Sequence, residues 1–77
     1  MKEILQLIVQ HLVTKPEAIQ ISETEGDTLS ILELRVAKED VGRVIGKQGN
    51  TADSIRWLLA AIASRQHRRA SLEIIDR

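Results

Sequence analysis

The chain has 77 residues, with eleven basic and eleven acidic side chains, two histidines, one Trp, and no Phe, Tyr or Cys. A fold of that size hides only about 60% of the surface its unfolded chain exposes, so one small domain of modest stability is expected, with a dimer as a way to cover more. The lack of cysteine excludes disulfides, thiolate zinc sites and cysteine nucleophiles, His11 and His67 offer little for metal chemistry, and no apolar run approaches the roughly 18 residues of a membrane span.

The neutral total conceals an asymmetry. Residues 1–40 hold four basic and eight acidic side chains, and residues 41–77 hold seven and three. A pI near 6.7 argues against coating nucleic acid by bulk charge, for which values above about 9 are usual, but is compatible with a localised basic face. Glu3 and Gln6 interrupt the apolar residues near the start, which argues against an export signal, so a cytoplasmic location is expected.

Ile4, Leu5, Ile8, Val9, Leu12 and Val13 recur at spacings of three and four, predicting an amphipathic helix over residues 3–13 that ends before Pro16. Ile19 and Ile21 then alternate with polar residues, Glu25-Gly26-Asp27 supplies a turn, and Leu29 to Val36 offers a second strand, together a β-hairpin. In that strand Ser30, Leu32, Leu34 and Val36 share one face, and Ile31, Glu33 and Arg35 the other. Asp40 is placed to cap a short helix to about Ile45, and Gly46-Lys47-Gln48-Gly49 forms a tight turn. A longer helix runs from Asn50 or Thr51 to about Arg65, with Ala52, Ile55, Leu58, Leu59 and Ile62 on its apolar face. Gln66 to Ala70 reads as a basic connection, and Leu72, Ile74 and Ile75 as a final strand. The order α-β-β-α-α-β, without repeat or linker, predicts one α+β domain over residues 1–77, its helices on one face of a three-stranded sheet.

The informative segment is Val41-Gly42-Arg43-Val44-Ile45-Gly46-Lys47-Gln48-Gly49. Glycines in the turn let a ligand approach the backbone closely, the unpaired amides at the start of the long helix suit a phosphate, and Lys47 adds a full charge beside them. A bare G-x-x-G is more often the mark of an ordinary helix-turn-helix junction, since so short a pattern often arises by accident.

Set between two helices, with a hairpin before and a strand after, the segment resembles the KH domain, and the element order resembles its type II, bacterial form. The resemblance spans essentially all 77 residues and is closest to the KhpA-like family of small bacterial single-KH proteins, which share the amphipathic first helix and a Val-Gly-x-Val-Ile-Gly-Lys-x-Gly segment. It implies that Gly46, Lys47, Gln48 and Gly49 clamp the sugar-phosphate backbone of about four single-stranded nucleotides. By the same resemblance Gly42, Val44 and Ile45 form the helix wall beneath the bases, and Arg43 and Arg56 are candidates for phosphate contact, each with a solvated helix charge as its alternative. Leu34 and Val36 are candidates for the opposite wall, with core packing explaining them equally well. Arg65, His67, Arg68 and Arg69 make a basic cluster that is either a solvated turn or a site for a longer RNA.

Trp57 points away from the centre of the apolar face formed by Ile55, Leu59 and Ile62. Ala60, Ala61 and Ser64 surround it with small residues, a pattern suited to an interface, with base stacking and partial burial as alternatives. The resemblance implies pairing with a second copy or with a larger Jag-type KH-containing protein. Two grooves in one assembly would raise avidity.

Catalysis finds little support. Gly42 to Lys47 lacks the four-residue spacing and the hydroxyl residue of a Walker A loop, and Ser54, Ser64 and Ser71 have no recognisable base and orienting acid. No cofactor, metal site, membrane contact or small-molecule substrate is expected. The reading is a non-catalytic, dimeric RNA chaperone or post-transcriptional regulator that binds single-stranded RNA, with family links to cell elongation and division. The alternative is an adaptor that keeps the KH fold and does not itself bind RNA; single-stranded DNA is a lesser variant of the ligand.

Overall fold

The computed structural model describes residues 1–75. Helix α1 (Lys2–Gln10) turns Leu5 and Val9 into the core, and Ile4 and Ile8 flank them half-buried. It stops three residues earlier than the apolar spacing predicts. The physical reason lies across the chain: the Thr14 and Lys15 amides donate to the Asp40 carboxylate at 3.0 and 3.1 Å, which pulls the segment off the helix axis. Leu12 and Val13 fold back, their amides bonded to Val9 O, and still pack on the core. Pro16–Ala18 then makes one 3-10 turn.

Strands β1 (Gln20–Glu25) and β2 (Leu29–Arg35) form the antiparallel hairpin, closed by Gly26 N–H donating to Leu29 O at 2.8 Å. Along β2 burial alternates as predicted: Ser30, Leu32 and Leu34 face inward, and Leu29, Ile31, Glu33 and Arg35 face out. Strand β3 (Arg69–Ile75) lies parallel to β2 on its other side, giving the order β1-β2-β3. A parallel neighbour requires a crossover. Helices α2 (Val41–Ile45) and α3 (Asn50–Arg65) supply it. The architecture is therefore α+β, in the order α-β-β-α-α-β.

The core lies between the inner sheet face (Leu32, Leu34, Leu72) and the helices, which contribute Leu5, Val9, Val44, Ile55 and Leu59. On α3 the buried line is Ala52, Ile55, Leu59 and Ala63, the spacing of one helical stripe. Leu58, expected inside, is 45% exposed, because it stands one residue, or about 100°, off that line. Strand β3 begins at Arg69, earlier than predicted. Its N–H donates to Thr28 O at 2.7 Å, and the Arg68 guanidinium donates to Gly26 O, Asp27 O and the buried Ser30 Oγ at 2.9, 3.1 and 2.9 Å. Arg68 is thereby a clasp between the final strand and the hairpin turn, and its guanidinium is occupied.

Candidate nucleic-acid interface

Gly46 and Gly49 adopt φ of 78° and 79°, and Gln48 between them is also left-handed at 57°. The loop is held at both ends: Gly46 N–H donates to Gly42 O at 2.8 Å, and Gly49 N–H to Gly46 O at 3.1 Å. Gly46 admits no side chain, since a Cβ there would overlap the Thr51 side chain and lie 2.8 Å from its amide nitrogen. This backbone leaves Lys47 and Gln48 exposed just before α3 begins, and among the described residues no side chain caps that helix end. A left-handed loop running into an uncapped helix start is chemically suited to an anion.

Helix α2 presents an open surface beside the loop. A Cβ on Gly42 would meet nothing within 4 Å, so a flat group can lie against the backbone there. Ile45 is 37% exposed, whereas Val44 is fully buried. Val44 therefore supports this wall from behind and offers no atom to a ligand.

Asp40 precedes α2 as predicted, but its side chain makes no helix cap. It is buried, accepts from the Thr14 and Lys15 amides, and takes a third hydrogen bond from Thr14 Oγ1 at 2.9 Å. The Thr14 amide bond, aided by the Thr14 hydroxyl, the Lys15 amide and Arg43, holds its carboxyl below the ordinary range against the opposing effect of burial. Arg43 leans on this carboxylate, Nε to Oδ1 3.6 Å, with its side chain still mostly exposed. An exposed Lys15–Glu39 ion pair ties the same two segments.

Arg56 lies six residues along α3 from Asn50, about 9 Å of helix. There it borders a cleft of about 180 Å³ lined by Leu59 from α3 and by Ala70, Ser71 and Leu72 from β3. Among the described residues its tie is an exposed contact to Asp53 at 3.4 Å, a kind of pair worth little and readily given up. Strand β3 is an edge of the sheet, so its outer backbone groups can meet the hydrogen-bonding edges of bases.

The side of this cleft facing α3 is β3. Leu34 and Val36, the sequence candidates for it, are 0% and 4% exposed and belong to the core. Ala70, Ser71 and Leu72 were legible only as alternation: Ala70, Leu72 and Ile74 recur every second residue, and the preceding basic run masked the strand start. Of the basic cluster, Arg65, His67 and Arg69 are exposed and Arg68 is spent on the hairpin. Trp57 is 81% exposed, and Ala60, Ala61 and Ser64 are exposed beside it.

A βααβ core with a two-glycine loop between its helices, plus an α-β extension on the N-terminal side, defines a KH domain of type II. The family model for the KhpA/KhpB KH domain matches residues 2–74, and the chain belongs to that family. It is 49% identical over 76 residues to "RNA-binding protein KhpA" of Chlamydia pneumoniae, covering 99% of this chain and 97% of the relative. The protein of the same name from Clostridium acetobutylicum is 47% identical over 75 residues, covering 97% and 100%. That of Borreliella burgdorferi is 45% identical over 74 residues, covering 96% and 90%. No solved structure matches the chain. The family is a non-enzymatic, RNA-binding one.

Proposed function

We propose that the chain is a single KH domain, without catalytic activity, that clamps the backbone of about four nucleotides of single-stranded RNA at Gly46–Gly49 and lays their bases along α2 and into the α3/β3 cleft. The observation that carries this is the loop itself. Two positive-φ glycines hold Lys47 and Gln48 out at the start of the helix that also walls the cleft. Gly42 and Ile45 form the floor, Val44 backs it, and Arg43 and Arg56 are the flanking cations. The names of the relatives favour RNA as the ligand. In the cell this reading places the protein in the cytoplasm, as an RNA chaperone or post-transcriptional regulator linked to elongation and division.

Pairing is the second part of the proposal. The large exposed indole of Trp57, with Ala60, Ala61 and Ser64, forms the contact with a second copy or with the KH domain of a larger Jag-type protein, since one exposed tryptophan amid small residues is a typical anchor.

The test is fluorescence anisotropy with short single-stranded RNAs on wild type and on Lys47→Asp/Gln48→Asp. Both positions are exposed, and an acidic side chain tolerates the left-handed backbone at Gln48, so the core is untouched while phosphate is repelled. Loss of binding with an unchanged circular dichroism spectrum is the expected result. A wild type that binds no RNA at any salt concentration supports the adaptor reading, and equal binding of single-stranded DNA widens the ligand class.

A further inference from the structure

Trp57 divides the exposed face of α3 into two hollows. The one toward the helix start is lined by Asn50, Asp53, Ser54 and Trp57. The other, about 510 Å³ and open, is lined by Arg56, Trp57, Ala60, Ala61 and Ala70. Arg56 and Ala70 also line the α3/β3 cleft, so the alanine hollow and the cleft share a rim.

We infer that the alanine hollow receives Trp57 of a second copy, and that this pair and a single strand in the cleft exclude one another. The inference deepens the reading above and rests on it. A large exposed knob beside a small-residue hollow is self-complementary: under a twofold axis each indole fills the other copy's hollow, the closed isologous arrangement.

Size decides where the contact spreads. A stable interface hides roughly 800 Å² per partner of a molecule whose whole surface is 5266 Å², and one tryptophan supplies at most about 250 Å². Spreading toward Asn50, Asp53 and Ser54 would take the exposed Asp53 carboxylate out of water, whereas spreading over the alanine methyls would not. That route covers Ala70 and brings the partner's indole to the Arg56 guanidinium, where a cation–π contact claims the charge that phosphate needs. A partner helix, about 10–12 Å across with its side chains, then sits on the rim of the cleft. The shared rim thus reverses the avidity expected from two grooves in one assembly: single chains bind RNA, and pairs store them.

Sedimentation velocity and anisotropy test this with a fluorescein-labelled single-stranded RNA octamer of mixed sequence. With protein held at ten times its pairing constant, added RNA is expected to convert pairs into single chains carrying RNA. The affinity there should be about fivefold weaker than below the pairing constant, since about one chain in five is then unpaired. Trp57→Ala and Ala61→Met, which remove the knob and fill the hollow, should stay single and bind RNA equally at both protein concentrations. Pairs that sediment intact with RNA on both chains, or an affinity independent of pairing, would overturn the exclusion while leaving pairing and RNA binding in place. A wild type that never pairs overturns it by removing the pairing reading, and one that pairs but takes no RNA overturns it by removing the cleft reading.

Discussion

Gly46 and Lys47 adjoin in the chain and carry different burdens. At Gly46 an added methyl group would overlap Thr51 and would sit on a backbone of positive φ that a side chain tolerates poorly, so Gly46→Ala should cost about 2–4 kcal/mol, read as a lowered midpoint in urea unfolding. Loss of RNA binding in that variant would report the fold, whereas in Lys47→Asp/Gln48→Asp it reports the clamp. Asp40 carries the clearest pH signature. Its folded-state carboxyl is held below the ordinary value of 3.8, so its contribution is fully present at neutral pH, begins to fall near that value and is lost as pH drops through the lower folded value. Asp40→Asn should flatten the acid limb of a stability–pH curve and lower the melting temperature at pH 7 by roughly 5–10 °C. An acid limb of wild-type steepness in that variant would contradict the assignment.

Among the elements, the clasp from Arg68 to the hairpin turn is the contact whose loss is most localised. Arg68→Met keeps much of the stem and removes three hydrogen bonds, leaving Ser30 Oγ buried without its donor. A loss of about 1–3 kcal/mol is expected, with hydrogen-exchange protection falling first at Arg69 and Ala70. The elements most legible from sequence were those whose local signals agreed. The alternation from Ser30 to Val36, the glycine loop and the length of α3 all arise from neighbours in the chain. What was not legible depended on partners far along it. The early end of α1 and the true role of Asp40 are one event, a carboxylate drawing amides from residues about 25 positions away. For Leu34 and Val36 the apolar alternation leaves a cleft wall and core packing equally open, and burial decides for the core, because the inner face of a central strand is covered by the helices whereas the edge strand β3 keeps one side open.

At the scale of the molecule, binding should follow the few charges at the loop and not the zero total. Two or three phosphate contacts predict a single-strand salt slope of about −1.4 to −2.1 on logarithmic axes, or a loss of about 25- to 125-fold for a tenfold rise in salt. A slope near zero would leave the bases, and not the backbone clamp, as the source of affinity. Glu3, Glu23 and Glu25 gather with Lys2 near Met1, while Arg43, Lys47 and Arg56 lie on or beside α2 and α3, so on the proposed reading charge is separated in a way that would favour approach of a strand from the loop side.

The sheet joins its strands on very unequal terms. β1 and β2 meet across a tight turn, while Leu29 finds Arg69 forty residues further along. Closing that larger loop costs more entropy and takes longer. On a growing chain the hairpin and the glycine loop are synthesised before β3, so the residues of the loop are present before the strand that completes the cleft. On the proposed reading, a groove that can receive bases is therefore completed late in folding, when the last strand docks, and a chain whose final strand has not yet paired has the glycine loop without the cleft beside it.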